Sequence, residues 1–229
     1  MLGVDVRLST RASAEDLASY DEVVIATGVS PRAATFDGAD HPRVLTYPEA
    51  ITEPHRVGAR VAVVGAGGIG VDVSHLLTHT EESLEEWQAH WGVGDPALHA
   101  GGVTEKKPRT PAREVYLLQR KTTPIGKGLA KTSGWAHRAV LKDSGVTMLP
   151  GVTYDRVDDD GLHVSVDGEP RVLDVDTVVV CAGQESVRGL YDDLLAAGVT
   201  AHLVGGADVA AELDAKRAIK QATELAAAL

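Results

Sequence analysis

The run VAVVGAGGIGVDV at 61–73 constrains this chain more than any other stretch. A short apolar strand pattern enters a glycine cluster, and a helix-like apolar pattern leaves it. Gly65, Gly67 and Gly70 have the spacing G-x-G-x-x-G, with Gly68 in the same turn. Each glycine has a mechanical reason: the first permits a tight turn, the second lets the backbone approach a pyrophosphate, and the third lets the helix pack close to the strand. The helix then faces the phosphates with its positive end. The spacing alone is weak in a chain with 24 glycines, but the strand before it and the helix after it are what the mechanism requires. The reading is a dinucleotide-binding loop, placed unusually far into the chain.

The identity of the dinucleotide turns on the end of the next strand. An acid about 20 residues beyond the loop would hold a ribose 2′-hydroxyl. That count lands on Glu85 and Glu86, but they fall in the amphipathic pattern EESLEEWQAHWGV (81–93), where Leu84, Trp87 and Trp91 share a side. The next strand pattern is EVYLLQRK (114–121), and it ends in Arg120 and Lys121 with no acid. Basic groups at that point suit a 2′-phosphate, so NADPH is expected rather than NADH.

The rest of the chain reads as α/β. GVDVRL (3–8) alternates like a strand, and ASAEDLASY (12–20) reads as a short helix capped by Ser13 with Asp16. DEVVIATG (21–28) and DTVVVCAG (176–183) share one form, a buried strand delivering a glycine, Gly28 or Gly183, at its carboxyl end. Residues 41–58, with three prolines, read as a linker between domains. IGVDVSHLLTHT places Ile69, Val73, Leu76 and Leu77 on one helical face. Residues 94–113 read as a long loop, 132–145 as a helix, and 152–183 as an antiparallel meander with turns at 158–161 and 167–169 feeding a buried strand. The C-terminal helix would turn Leu213, Ala218, Ile219, Ala222 and Leu225 inward.

Two further features stay open between structural and functional readings. GKGLAKTSG (126–134) is a second glycine-rich loop, with Lys127 and Lys131 available to attract phosphate and Thr132 or Ser133 to cap the next helix. Asp208, in LVGGADVAAELDAKRAIKQA, follows a buried strand at the head of a helix, either as a cap or as a flavin-ribityl ligand. His137 reads as a packed or surface residue. No residue stands out as catalytic, and no cluster as a metal site.

Composition excludes several classes. The net charge of −11 disfavours nucleic-acid binding, which needs Lys and Arg to neutralise phosphates. No apolar run approaches the ~18 residues of a membrane span, and MLGVDVRLST lacks the pattern of a signal peptide. The single cysteine, Cys181, excludes a disulfide or a cysteine-ligated cluster built from this chain alone. A cytoplasmic protein with no nucleic-acid or membrane partner is expected; its oligomeric state is not legible.

LQRK (118–121), GKGLAKTSGWAHR (126–138), PGVTYDRVDDDGLHV (150–164), VVVCAGQE (178–185) and LVGGADVAAELDAKRAIKQ (203–221) together resemble bacterial 2,4-dienoyl-CoA reductases, of the NADH:flavin oxidoreductase family that includes trimethylamine dehydrogenase. The resemblance implies a Rossmann-like two-dinucleotide-binding flavoprotein fold. Residues 56–183 would form an intact NADP(H) domain, a parallel sheet plus an antiparallel β-meander. Residues 1–55 and 184–229 would be an incomplete, discontinuous FAD domain. By position, Gly65, Gly67, Gly70, Arg120 and Lys121 fall on the NADPH side, and Gly28 and Asp208 on the FAD side. In the full-length relatives NADPH reduces FAD, and electrons pass through an iron–sulfur cluster to FMN on a (β/α)₈ barrel, where the dienoyl thioester is reduced. Barrel, cluster cysteines and first FAD glycine loop have no counterpart here. The expectation is therefore a C-terminal part of such an enzyme, inactive alone on a dienoyl thioester, with apolar surface left exposed near 23–28 and 202–207. The alternatives are an NADP(H)-binding module without turnover, or a reductase component needing a partner subunit.

Overall fold

The computed structural model describes residues 3–211 and 214–229. In chain order, helix α1 (Ala14–Leu17) precedes strands β1 (Val23–Ile25), β2 (Val29–Pro31) and β3 (Val44–Thr46). Helix α2 (Tyr47–Thr52) leads to β4 (Arg60–Val64), α3 (Gly68–Thr78) and α4 (Leu84–Trp91). Then come β5 (Glu114–Leu118), α5 (Gly134–Asp143), β6 (Thr147–Leu149), β7 (Val152–Asp158), β8 (Gly161–Val166), β9 (Glu169–Leu173) and β10 (Thr177–Val180). The last elements are β11 (Gln184–Ser186), α6 (Gly189–Ala196), β12 (Ala201–Leu203) and α7 (Ala215–Ala228). No helix among the described residues is long and apolar enough to cross a membrane.

Contacts divide the chain into two units, residues 33–183 and the two flanking segments 1–32 and 184–229. The larger unit is built on a five-stranded sheet in the order β3-β10-β4-β5-β6, with every neighbouring pair parallel. Its central strands are apolar throughout because both faces are covered. Val61, Val63, Val115, Leu117 and Val179 point to one face and pack with Val71, Val73 and Leu77 of α3 and Leu141 of α5. Ala62, Val64, Leu118 and Val178 point to the other, against Val152, Val157, Leu162, Val164 and Leu173 of the β7-β8-β9 meander. The alternation of strand side chains thus separates a helical layer from a β layer, and each buried Val or Leu contributes about 1.5–3 kcal/mol. The meander turns fall where the sequence places them: Gly161 has φ +126, and Asp167 and Gly168 have φ +52 and +84.

Residues 41–58 are not a linker. Val44–Thr46 pairs with Val178–Val180 at the edge of the sheet. Thr46 then opens α2 with a capping box to Glu49, and Pro48 falls in the first turn, where its missing N–H breaks no helical bond. Leu45 and Ala50 are buried in the core, so residues 33–55, expected with the FAD remnant, lie in the larger unit. On α3, Val73 and Leu77 face inward as expected, but Leu76 is 50% exposed. Buried Ser74 and Thr78 take the inner face beside them, their hydroxyls donating to the carbonyls of Gly70 and Ser74 at 2.7 and 3.0 Å. Helix α4 exposes Leu84 and Trp87; its buried residue is His90.

In the smaller unit β1 pairs in parallel with β12, and β2 pairs antiparallel with β11. Val23 and Ile25 pack with Leu194 of α6 and Ala207. Ser13 caps α1 with the expected capping box to Asp16. Residues 3–8 form no strand, and Val4, Val6 and Leu8 are exposed. Alternation alone does not order a strand; it needs a neighbouring edge for its backbone groups, and none of the described strands pairs with this segment. Of the surface expected near 23–28 and 202–207, Val24 is exposed, whereas Val204 and Ala207 are buried. Helix α7 half-buries Ala218, Ala222 and Leu225 but leaves Ile219 exposed. Leu213 lies outside the described residues.

Candidate functional site

At the carboxyl end of the central strand β4, the chain turns through Gly65, Ala66 and Gly67 into α3. Gly65 has φ +107, and its amide donates to the carbonyl of Leu118 at 2.9 Å, which ties the turn to the end of β5. A Cβ on Gly65 would lie 2.6 Å from the Cys181 carbonyl oxygen, and one on Gly70 would lie 1.8 Å from the Gly65 carbonyl oxygen. These two glycines exist for close backbone packing. At Gly67 and Gly68 a Cβ would meet nothing within 4 Å. Those two keep one side of the turn open, where a ligand's backbone contacts would form. Gly67 is the N-cap of α3, and no side chain caps the helix. Among the described residues, the first-turn amides and the helix dipole therefore face that opening without a side-chain cap. The cradle fits a pyrophosphate.

The loop after β10 borders the same turn. Cys181 donates its amide to the carbonyl of Val64 at 2.8 Å, and Gly183 has φ +116. The Cys181 thiol is buried, and burial pushes its pKa up to about 12. It is an inert core group, as the sequence reading holds.

Strand β5 ends at Leu118, so Arg120 and Lys121 stand just beyond it rather than within it. Both are exposed, and among the described residues neither forms an ion pair. No acid occurs between Glu114 and Asp143. The carbonyl of Lys121 accepts from the Gly151 amide at 3.0 Å and from the side-chain Nε2 of Gln119 at 2.9 Å. Gln119 and Gly151 escape a sequence reading because their roles depend on the shape of the turn. Glu86 is an N-terminal helix residue: its carboxylate accepts from the Ser83 amide at 2.7 Å, and that bond holds its pKa below the usual value. Glu85 shares the same first turn. Neither is a strand-end acid.

In the second glycine-rich loop, buried Gly126 has φ +77 and its carbonyl accepts from Arg138 at 2.9 Å. A Cβ on Gly134 would lie 2.8 Å from the Cβ of Leu129. Lys127 and Lys131 are exposed. Ser133 is the N-cap residue of α5, but neither it nor Thr132 supplies a side-chain cap; the Thr132 carbonyl instead accepts from the Trp135 indole at 3.0 Å. His137 is half-buried.

In the smaller unit, Gly28 has φ +73, and its carbonyl accepts from the Val187 amide at 3.1 Å. Asp208 is not at the head of α7. It follows a short 3₁₀ turn at Gly205–Ala207, and α7 starts at Ala215 with Asp214 as its cap. The Asp208 carboxylate accepts from Gln221 of α7 at 2.8 Å, and its backbone carbonyl accepts from Arg188. The Asp208 side chain is thus engaged by Gln221 within this unit.

The chain is 26% identical over 211 residues to a cinnamate reductase of Clostridium sporogenes, covering 90% of this chain and 27% of that protein. It is 24% identical to a metal reductase of Desulforamulus reducens, covering 84% of this chain and 29% of that one. The chain thus spans under a third of the length of these relatives. Among solved structures, it superposes on a 2-naphthoyl-CoA reductase with a TM-score of 0.72 at 20% identity, over 96% of this chain and 29% of that one. A histamine dehydrogenase from Rhizobium sp. gives 0.69 at 18% identity, over 96% and 32%. These likenesses show a shared α/β, Rossmann-like fold. The sequence profile of one family, whose enzymes bind FAD and NAD(P)H, matches residues 4–215; the chain belongs to the pyridine nucleotide-disulphide oxidoreductase family.

Proposed function

We propose that this chain is the NADPH-binding part of a larger flavin-dependent reductase of the 2,4-dienoyl-CoA reductase type. The carrying observation is the pair Arg120 and Lys121, exposed and without an ion-pair partner among the described residues, two and three residues past Leu118, whose carbonyl holds the Gly65 amide. The adenosine ribose of a dinucleotide lies beside that strand end. Two cations with no acid favour a 2′-phosphate there. Gly65, Gly67, Gly68 and Gly70 would take the pyrophosphate, with Gly183 on the neighbouring loop. When bound, the nicotinamide supplies the hydride; the residues here only position it.

The reductase class of the larger protein draws on the relatives. Their names, cinnamate reductase and 2-naphthoyl-CoA reductase, describe reduction of conjugated carboxylates and thioesters, as does a dienoyl-CoA reductase. The test is direct titration of NADPH and NADH. Wild type should prefer NADPH, and Arg120→Ala/Lys121→Ala should weaken NADPH by about 10–100-fold, as expected for lost charge-assisted bonds, with NADH little changed. Equal losses for both nucleotides would overturn the 2′-phosphate role.

A second reading, a nucleotide-binding module without turnover, is favoured by the bond between Asp208 and Gln221. An absorption spectrum after incubation with FAD and removal of excess separates the two. A retained flavin band supports a working flavin site at Gly28 and Asp208; no band supports the module.

A further inference from the structure

We infer that Gln119 is a positioning residue for nucleotide preference, acting through the turn that carries Arg120 and Lys121; this rests on the reading of that pair as the 2′-phosphate site. The ladder between β5 and β6 ends at Leu118 and Leu149. Beyond it, the Gln119 amide donates to the Leu149 carbonyl at 3.1 Å, and its carbonyl accepts from the Val152 amide at 3.0 Å. The residue is therefore fixed to the neighbouring chain by both backbone groups. Its side chain then reaches forward along its own turn. Nε2 donates to the carbonyl of Lys121 at 2.9 Å and also to that of Thr123.

The consequence is electrostatic as well as mechanical. A carbonyl oxygen is the negative end of a peptide dipole, and one aimed at a phosphate would oppose its binding. Gln119 holds two of these carbonyls, and Gly151 a second time the first. While they are engaged there, the flanking cationic side chains remain at the surface. Fixing the turn also reduces the ordering cost that long basic side chains on a loose loop would add to binding. The chemistry needs a donor amide. A carboxylate of the same size would repel both carbonyls, and a thioether would remove the Gln119 donor from Thr123 and leave the Lys121 carbonyl to the Gly151 amide.

The test compares dissociation constants for NADPH and NADH in wild type, Gln119→Met, Gln119→Glu, Arg120→Ala/Lys121→Ala, and the triple variant with Gln119→Met. Either Gln119 variant should lower the preference for NADPH by about 3–10-fold, the range for losing hydrogen bonds in a partly exposed turn. NADH affinity should stay within about twofold. Adding Gln119→Met to the Arg120/Lys121 variant should leave the remaining preference unchanged, because there is no longer a cation pair to position. If the Arg120/Lys121 variant loses preference and the Gln119 variants keep it, the positioning role fails and the 2′-phosphate reading stands. If Gln119→Met weakens both nucleotides equally, Gln119 is only structural and the inference is overturned. If the Arg120/Lys121 variant keeps its preference, both fail. Should Gln119→Met not fold, Gln119→Glu, equal in size to the native side chain, carries the same comparison.

Discussion

The carbonyl oxygen of Gly65 lies so close to Gly70 that a methyl group there would sit 1.8 Å from it. The first and last glycines of the loop are thus one packing contact between the strand end and the first turn of α3. Gly70→Ala should lower stability by about 1–3 kcal/mol through overpacking and displace the loop, so nucleotide binding falls as well. Gly67→Ala is the contrast. Its φ of −76 suits alanine, and nothing lies within 4 Å of the new methyl. Thermal unfolding should change by no more than about 0.5 kcal/mol, while NADPH titration should show clear weakening. Equal affinity in Gly67→Ala and wild type would remove the pyrophosphate from this loop.

Much of the larger unit is legible in its sequence because it repeats simple periods. The apolar run at 61–64 must be covered on both faces, so it reads as a central parallel strand. The glycines after it fix the turn, and the meander declares itself through DDDG and Asp167-Gly168. What is not legible depends on non-local partners. Val29–Pro31 and Gln184–Ser186 are three-residue strands more than 150 positions apart, and neither carries a pattern of its own. Residues 3–8 carry the pattern but pair with no described strand. Asp208 reads as a helix-head acid because the chain between it and Ala215 shows no break. The role of Gln119 is invisible for another reason: it is a side chain bonding to carbonyls whose direction only the folded turn defines.

The segment between α3 and β5 is anchored by a largely buried ion pair. Arg109 donates to Glu82 at 3.1 Å and to the Ser144 hydroxyl at 3.0 Å, and the two charged side chains are 12% and 13% exposed. Among the described residues, the Arg109 Nε has no hydrogen-bond partner. Glu82→Ala would leave a desolvated cation without its counter-charge and should cost about 2–3 kcal/mol. Arg109→Met/Glu82→Leu should cost less than that single change, because no buried charge remains. Denaturant unfolding measures both, and a double variant worse than the single would refute the account.

Cys181 lies beneath the glycine loop, its carbonyl against Gly65 and its thiol pushed up to about 12. At pH 8 the native thiol is almost wholly protonated, so alkylation should be slow and should accelerate sharply in denaturant. NADPH bound at the loop above should slow the native reaction further, since a ligand that binds only the closed form reduces opening. Mass spectrometry of iodoacetamide labelling reads both effects. Rapid labelling of the native chain would contradict the burial, and an unchanged rate with saturating NADPH would place the nucleotide elsewhere.

The turn between β7 and β8 predicts the acid limit of this part of the fold. The Asp158 carboxylate accepts from His163 Nε2 at 2.8 Å, from the Asp160 amide at 3.0 Å and from Arg156 at 3.0 Å. These bonds, His163 foremost, hold its pKa down to about 2 against an ordinary 3.8. Because the folded value is the lower one, the turn's stabilisation is complete above the ordinary value and is lost as pH falls from about 4 towards 2. Carbon-detected NMR of the carboxyl groups should find Asp158 titrating well below the other aspartates. In His163→Leu that titration should move up towards 3.8, and the stability lost over this acid range should shrink. An Asp158 resonance at an ordinary position in the wild-type chain would mean that the three bonds do not hold in solution.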